Sequence, residues 1–451
     1  MANSTLYKKL PVKKGHWILG IALDLIRDPL GFLSSVTSEF PSIVTYRFAN
    51  RHVVYLSDPT LIKHVMQTNN KNYLKGLQYE PLKLVLGNGL LTSEGEFWLR
   101  QRRIVSPVFH KKYIVSFANQ MVSSTQNLIA SWEKEEGKVI DIYPPMMQLT
   151  LDIVGLTLFS TNVKDKAASV GPALGVLMEF AINRVRAIVK IPLWFPLPGN
   201  MRFRKNKKIL DDVVVNIIKK RRRTPSDHID LLDMLMKAKD EETGEQMTDD
   251  QLKDEVMTIF IAGHETTASA LTFVWHLLSK NPEKQQKFHE ELDRVLEGKM
   301  PLMEHVPQLE YTLQIIYEAM RLYPPAWIVA RRAINEDVIG EYPIEKDSNV
   351  LICPYSVHRN PAIWEQAEEF LPERFEKEKM KEIDKFAYFP FGGGPRMCVG
   401  NNFALMEMQL AMAVIGQRYS VENDVTHQVK LDPLVTLRPQ NGVKLKLIKR
   451  T

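Results

Sequence analysis

The stretch FGGGPRMCVG, residues 391–400, constrains this chain more than any other, because it sets one cysteine in a loop containing four glycines. Gly392, Gly393, Gly394 and Gly400 let the backbone turn tightly and approach a bulky ligand, since glycine has no side chain to clash and tolerates positive φ. Pro395 stiffens the same turn. A thiol of reference pKa about 8.5 ligates a metal only as the thiolate, and amide donors aimed at the sulfur favour that form. Cys398 lacks the company that a zinc or iron–sulfur site needs, several Cys or His ligands at short spacing. The other cysteine, Cys353, lies 45 residues away. What remains is a metal whose other ligands come from a macrocycle, with a buried cysteine in a glycine-rich turn as the plainer alternative.

A second stretch has the pattern of one long helix, from about Asp249 to Ser279. Thr248 and Gln251 make a capping box, and Asn281-Pro282 ends the run. At 1.5 Å per residue such a helix is roughly 46 Å long, enough to cross a molecule of this size. Its middle reads AGHETT, awkward for a helix core. Gly263 costs about 1 kcal/mol relative to alanine, and Thr266 can bond back to the carbonyl four residues earlier and loosen the ladder. A polar break in an apolar face suits an oxygen-binding groove; a local kink is the plainer reading.

The cysteine loop resembles the Phe-x-x-Gly-x-Arg-x-Cys-x-Gly signature of the haem-thiolate monooxygenases, the cytochromes P450, through Phe391, Gly394, Arg396, Cys398 and Gly400. The resemblance implies a mainly α fold with small β-sheets (α+β), a long central helix over haem b (iron protoporphyrin IX), and Cys398 as iron ligand. Further matches follow in the family's order, from about residue 40 to the end. Trp98 and Arg102 match its Trp-x-x-x-Arg, and four residues apart they share a helix face and offer donors to a haem propionate. Ala262, Gly263, Glu265 and Thr266 match its Ala-Gly-x-Glu-Thr, whose acid and alcohol deliver protons during cleavage of dioxygen. Arg331 takes the second propionate position, with the adjacent Arg332 leaving that choice open. Glu318 and Arg321 match its Glu-x-x-Arg, joined by Arg374 from PERF; their apolar neighbours point to a buried, structural trio bracing the haem loop.

Residues 42–57 read as a β-hairpin turning at Ala49-Asn50, on whose exposed strand Arg51 and Tyr55 fall where some fatty-acid-hydroxylating members hold a carboxylate. Residues 145–220 read as helical. Within them Leu177, Met178, Phe180, Ala181, Ile188, Val189, Ile191, Trp194 and Phe195 form an apolar region that the family uses as a movable roof over substrate, or that is simply core. Further strands follow at 338–357, and Asn441-Gly442 carries a strong hairpin signal near the end. The helix starting at Asn401 points its positive end at Cys398.

Charge and cysteine content settle the broad class. Two cysteines exclude a disulfide framework. The net charge of +6 invites a nucleic-acid reading, but the densest cluster, Lys219 to Arg223, ends a helix before Thr224-Pro225 and has no aromatics to stack bases. It is a solvated helix end or a dock for an acidic electron donor. HWILGIALDLI is broken by Asp24 and too short to span a bilayer. The chain therefore reads as one cytoplasmic, monomeric haem domain over 1–451, with a lead-in to about residue 40 and no fused reductase. Electrons would come from a separate ferredoxin or flavodoxin with its reductase, docking near the thiolate. The expected substrate is a lipophilic small molecule, a fatty acid, terpenoid, carotenoid or steroid, with O-demethylation of a methylated sugar still open. A peroxide-driven peroxygenase and a non-catalytic haem-thiolate sensor or electron carrier are the rival readings.

Overall fold

The computed structural model describes residues 8–48, 51–159, 164–187, 191–223 and 230–450. Eight of its helices position the site: α1 (Pro29–Glu39), α2 (Gly95–Val105), α3 (Tyr143–Phe159), α4 (Lys164–Arg186), α5 (Pro198–Arg223), α6 (Asp249–Lys280), α7 (Glu310–Leu322) and α8 (Asn401–Arg418). The strands are β1 (Val12–Lys13), β2 (Ile43–Phe48), β3 (Arg51–Leu56), β4 (Tyr73–Lys75), β5 (Val139–Asp141), β6 (Val329–Ala333), β7 (Asp337–Ile339), β8 (Tyr342–Ile344), β9 (Asn349–Ile352), β10 (Tyr419–Asn423), β11 (Leu431–Pro433), β12 (Leu437–Pro439) and β13 (Lys444–Lys449). The mainly α, small-sheet architecture expected from the sequence is what forms.

Helix α6 is the axis. Its capping box is present, with Gln251 N donating to Thr248 Oγ1 at 3.2 Å and Thr248 N to Gln251 Oε1 at 3.0 Å. It runs for 32 residues, about 48 Å. From Thr267 to Ser279 every side chain is buried, Trp275 and Phe273 completely. A helix apolar on all sides is stable only inside a shell of others, and α3, α7 and α8 supply much of it. Helix α3 is bolted on by polar bonds as well: Thr150 Oγ1 donates to the His264 carbonyl and His264 Nε2 to that of Met147, each at 3.0 Å. Thr266 does bond back to the Ala262 carbonyl, at 2.6 Å, yet α6 continues unbroken through it.

The largest sheet has the order β1-β2-β3-β9-β6-β4 and carries apolar residues on both faces. Val54 and Leu56 pack on one side, Val53 and Tyr55 on the other, so the sheet is buried between two clusters. The β2–β3 hairpin forms as expected; its turn, Ala49-Asn50, lies outside the described residues. The segment before residue 40 is no mere lead-in, since β1 joins this sheet beside β2 and α1 packs on it. Tyr55 is not on an exposed surface. It is fully buried, and its hydroxyl shares a 2.7 Å bond with Thr37 of α1.

The C-terminal expectation also needs correction. Asn441-Gly442 does not join a hairpin: β12 pairs back with β11, while β13 pairs with β10 and β5. Asn441 instead ties its turn to the segment before β11 with its side chain, accepting from Lys430 N and donating to the Gln428 carbonyl. Gly442, at φ +73°, leaves room for the Asp141 carboxylate where a Cβ would sit. In the basic cluster, Arg221 is no solvated end: it is largely covered and ion-paired with Asp230 and Asp233. Arg222 pairs with Asp249, and Thr224-Pro225 lies outside the described residues.

Candidate active site

The cysteine loop is built on hydrogen bonds to its own carbonyls. Gly392 N donates to Phe389 O at 2.9 Å, Met397 N to Gly394 O at 3.1 Å, and Cys398 N to Phe391 O at 2.9 Å. Gly394, at φ +64°, sits so close to the Met66 carbonyl that an added Cβ would lie 2.0 Å from its oxygen. Gly400 caps α8. Cys398 is exposed, and it lines a partly open cavity of about 820 Å³. Burial raises the thiol's pKa, while the Gly400 amide and the Arg102 guanidinium pull it down.

The cavity runs between this loop and α6. Phe391, Arg396, Cys398 and Gly400 line it from below; Ala262, Gly263, Glu265 and Thr266 line it from the α6 side. Trp98, Arg102 and Arg331 complete the expected set. Arg396 stacks its guanidinium 3.7 Å above the Trp98 ring, donates to the Ser93 carbonyl at 2.9 Å and pairs with Glu94. Arg102 donates to the Met397 carbonyl at 2.9 Å. The alternation of β6 separates the two neighbouring arginines: Arg331 is buried and lines the cavity, whereas Arg332 does not.

Glu318, Arg321 and Arg374 stand behind the loop, outside the cavity. Arg321, fully buried, donates to Glu318 Oε2 at 2.6 Å and Oε1 at 2.8 Å, and to the carbonyls of His358, Ala367 and Glu369. Arg374 reaches the same carboxylate at 3.4 Å. His358 Nε2 in turn accepts from Phe389 N at 3.0 Å, which ties the trio to the start of the cysteine loop.

Sequence reasoning missed Lys75, which carries no motif: it ends the three-residue β4. Lys75 lines the same end of the cavity as Arg331 and Arg396, and burial together with those two cations holds its pKa well below the usual value. It also misplaced part of the apolar region. Leu177, Met178 and Ala181 are buried on α4 and Met178 lines the cavity, but Ile191, Trp194 and Phe195 are exposed and outside it. Ile188 and Val189 lie outside the described residues. Phe180 stacks on Phe203 of α5 at 4.4 Å. At the mouth, beside Ile26 and Phe48, stands Arg51.

Glu265 is buried, and burial raises its pKa, with Thr436 and Arg438 acting against that. Its polar surroundings come from the β11–β12 hairpin, whose tip, Leu434 to Thr436, lines the cavity.

The cytochrome P450 family model matches residues 10–447. The chain is 35% identical over 405 residues to cyclooctat-9-en-7-ol 5-monooxygenase of Streptomyces melanosporofaciens, covering 89% of this chain and 87% of that protein. It is 32% identical to the chloroplastic carotene epsilon-monooxygenase of Arabidopsis thaliana, covering 97% and 86%. It is 31% identical to pentalenene oxygenase of Streptomyces avermitilis, covering 96% of each. Haem b is the cofactor of the family that the model describes. The residues present fit it: Arg102, Arg331 and Arg396 face one end of the cavity, with Lys75 beside them and Glu94 as the matching carboxylate among the described residues, an excess of positive charge suited to a dianionic ligand. No described helix is long and apolar enough to cross a membrane. The chain belongs to the cytochrome P450 family, haem-dependent monooxygenases and hence oxidoreductases.

Proposed function

We propose that this monooxygenase hydroxylates a lipophilic isoprenoid-type substrate, terpenoid or carotenoid, with Cys398 as the iron ligand and Glu265 and Thr266 as its proton relay. The observation that carries the ligand assignment is the Cys398 sulfur facing the cavity beneath α6 with an amide and a guanidinium drawn towards it. The cavity's predominantly apolar lining supports the substrate class, as do relatives named for cyclooctat-9-en-7-ol, carotene and pentalenene.

Bound haem supplies the redox centre at which dioxygen is reduced and one of its oxygen atoms enters a C–H bond, the other leaving as water. Two electrons and two protons enter per turnover; the electrons come from a separate ferredoxin or flavodoxin, and the enzyme works in the cytoplasm. The protein residues hold and move the protons. Trp98, Arg102, Arg331 and Arg396, with Lys75 beside them, would hold the cofactor's carboxylates. Thr266, its hydroxyl proton committed to the Ala262 carbonyl, presents oxygen lone pairs to the cavity. Glu265, kept protonated to higher pH by burial, is the acid that refills the path. Leu434 and Val435 with the α6 face exclude bulk water.

The test is spectroscopic. The ferrous protein under carbon monoxide should give the thiolate-type Soret band, and Cys398→Ser should abolish it. A Soret-shift screen across terpenoids, carotenoids, fatty acids, steroids and methylated sugars then identifies the substrate; a response confined to the sugars would overturn the class.

A further inference from the structure

The acid residue of the relay lines the cavity, but a cluster of polar side chains that do not line it, Tyr143, Ser269 and Arg438, also surrounds it. Three buried hydroxyls, Tyr143 Oη at the start of α3, Ser269 Oγ on α6 and Thr436 Oγ1 on the β11–β12 hairpin, make no well-formed hydrogen bond among the described residues, although Thr436 interacts with Glu265 and Tyr143 with Ser269 and Arg438. They are gathered round one carboxyl. Thr436 faces Glu265, and Tyr143 lies among Ser269, Glu265 and Arg438. Buried hydroxyls whose bonding to protein is incomplete have room for ordered water as a further partner, and several gathered near one carboxyl form the lining such water needs.

Two charged side chains of this cluster, Arg438 and Asp432, are partly exposed. Arg438 and Asp432 are opposite residues in the β11–β12 register, and Arg438 Nε donates to Asp432 Oδ2 at 3.1 Å. Their side chains are 29% and 21% exposed, against 7% for Glu265. Arg438 Nη1 stands 3.9 Å from Glu265 Oε1, within charge reach but too far for a direct hydrogen bond, a spacing that one water bridges. The hairpin is itself held firmly, with Trp327 Nε1 donating to Leu434 O and Leu437 N to Pro325 O, each at 2.9 Å.

We propose that Glu265 is reprotonated from the surface through this hydroxyl-lined passage between α3 and the β11–β12 hairpin, and that Arg438, fixed by Asp432, is its positioning residue. The inference rests on the relay role given to Glu265 above. Each proton that leaves the Glu265 carboxyl towards the cavity is replaced by one from solvent, carried by water held at Thr436, Tyr143 and Ser269. Between the two events the carboxyl is an anion in a buried site, and Arg438 is the counter-charge that faces it. Tyr143 and Asp432 are the other titratable groups that face this cluster. Because the tip of the same hairpin lines the cavity, a ligand that presses on Leu434 or Val435 bears on the arginine that faces the acid.

The experiment uses the full-length haem-loaded protein with a substrate that shifts its Soret band. Infrared difference spectra locate the Glu265 carboxyl through the band lost in Glu265→Gln, and its titration is followed in wild type, Arg438→Met and Arg438→Lys. Arg438→Met should move that titration up by about one pH unit and Arg438→Lys should largely restore it. In turnover, Arg438→Met and the pair Tyr143→Phe with Ser269→Ala should raise the solvent deuterium isotope effect. They should also lower product formed per NADPH on the order of tenfold, short of the roughly 10²–10⁴ expected from loss of the general acid itself. Substrate Kd from the Soret shift should stay unchanged, which a merely structural role for the hairpin would not allow. An unmoved carboxyl titration and an unmoved isotope effect in Arg438→Met overturn the passage. Full coupling in Glu265→Gln overturns instead the relay on which it rests, so the two failures are distinct.

Discussion

Arg321→Ala is the most informative structural perturbation of this enzyme. The change removes a fully buried guanidinium that makes two bonds to Glu318 and one each to the carbonyls of His358, Ala367 and Glu369. Stranding one partner of a buried ion pair costs about 3–5 kcal/mol, and unpaired carbonyls add to it. Glu318 keeps Arg374 at 3.4 Å and the Leu371 amide at 2.9 Å, which offsets part of the loss. The working figure is therefore about 4 kcal/mol, a large share of the roughly 5–15 kcal/mol that holds a typical domain folded. Arg374→Ala is the control. It leaves Glu318 bonded twice to Arg321, and its cost should be about 1 kcal/mol. Guanidinium unfolding of the haem-loaded proteins, followed by circular dichroism, reads the difference. A second readout follows from the His358–Phe389 bond: the thiolate-type Soret band should broaden in Arg321→Ala and not in Arg374→Ala. Equal losses in the two variants would refute the reasoning, because they would mean that Glu318 does not distinguish its partners.

Three further expectations test other parts of the structure. Burial raises the Glu255 carboxyl from 4.5 to about 7; the folded state then binds a proton that the unfolded chain has released, so stability falls as pH rises between those values, by about 3 kcal/mol in all from this group. Glu255→Gln keeps an acceptor for Leu90 N and should remove that part of the slope, checked by denaturant midpoints at pH 4.5 and 7.5. Gly394→Ala should destabilise the cysteine loop by about 1–3 kcal/mol, since the left-handed backbone and the Met66 carbonyl both oppose a side chain; faster haem transfer to apomyoglobin measures it. Trp194→Ala should leave substrate Kd within about twofold, because the ring is 74% exposed and outside the cavity; a tenfold loss in Soret titrations would place it in the binding path.

What could be read in the sequence was what local chemistry dictates. The Thr248–Gln251 box and Asn281-Pro282 bound α6 to within a residue, and the glycines of the cysteine loop announced a close approach that Gly394 makes against Met66. The Glu318–Arg321 pair was legible as buried because its helix neighbours are apolar. What stayed hidden depends on pairing at long range. Nothing local tells Tyr55 that α1 will cover it, or Asn441 that its side chain will bridge to residues 428 and 430 while the backbone passes on to another sheet. Lys75 reaches the cavity only because β4 pairs with β6, and Arg438 reaches Glu265 only because a hairpin more than 160 residues later folds against α6.

The cations at the inner wall have a consequence for how this enzyme is made. Lys75, Arg102, Arg331 and Arg396 belong to four separate pieces of chain, a short strand, a helix, a second strand and the cysteine loop. In the proposed reading, the three arginines press those pieces apart until porphyrin carboxylates arrive, and one small dianion would then staple them together, Lys75 included. Yield in a host cell should then follow the supply of porphyrin precursor more than it follows messenger or temperature, and polypeptide made in its absence should be trimmed first by proteases around residues 73–79 and 391–400.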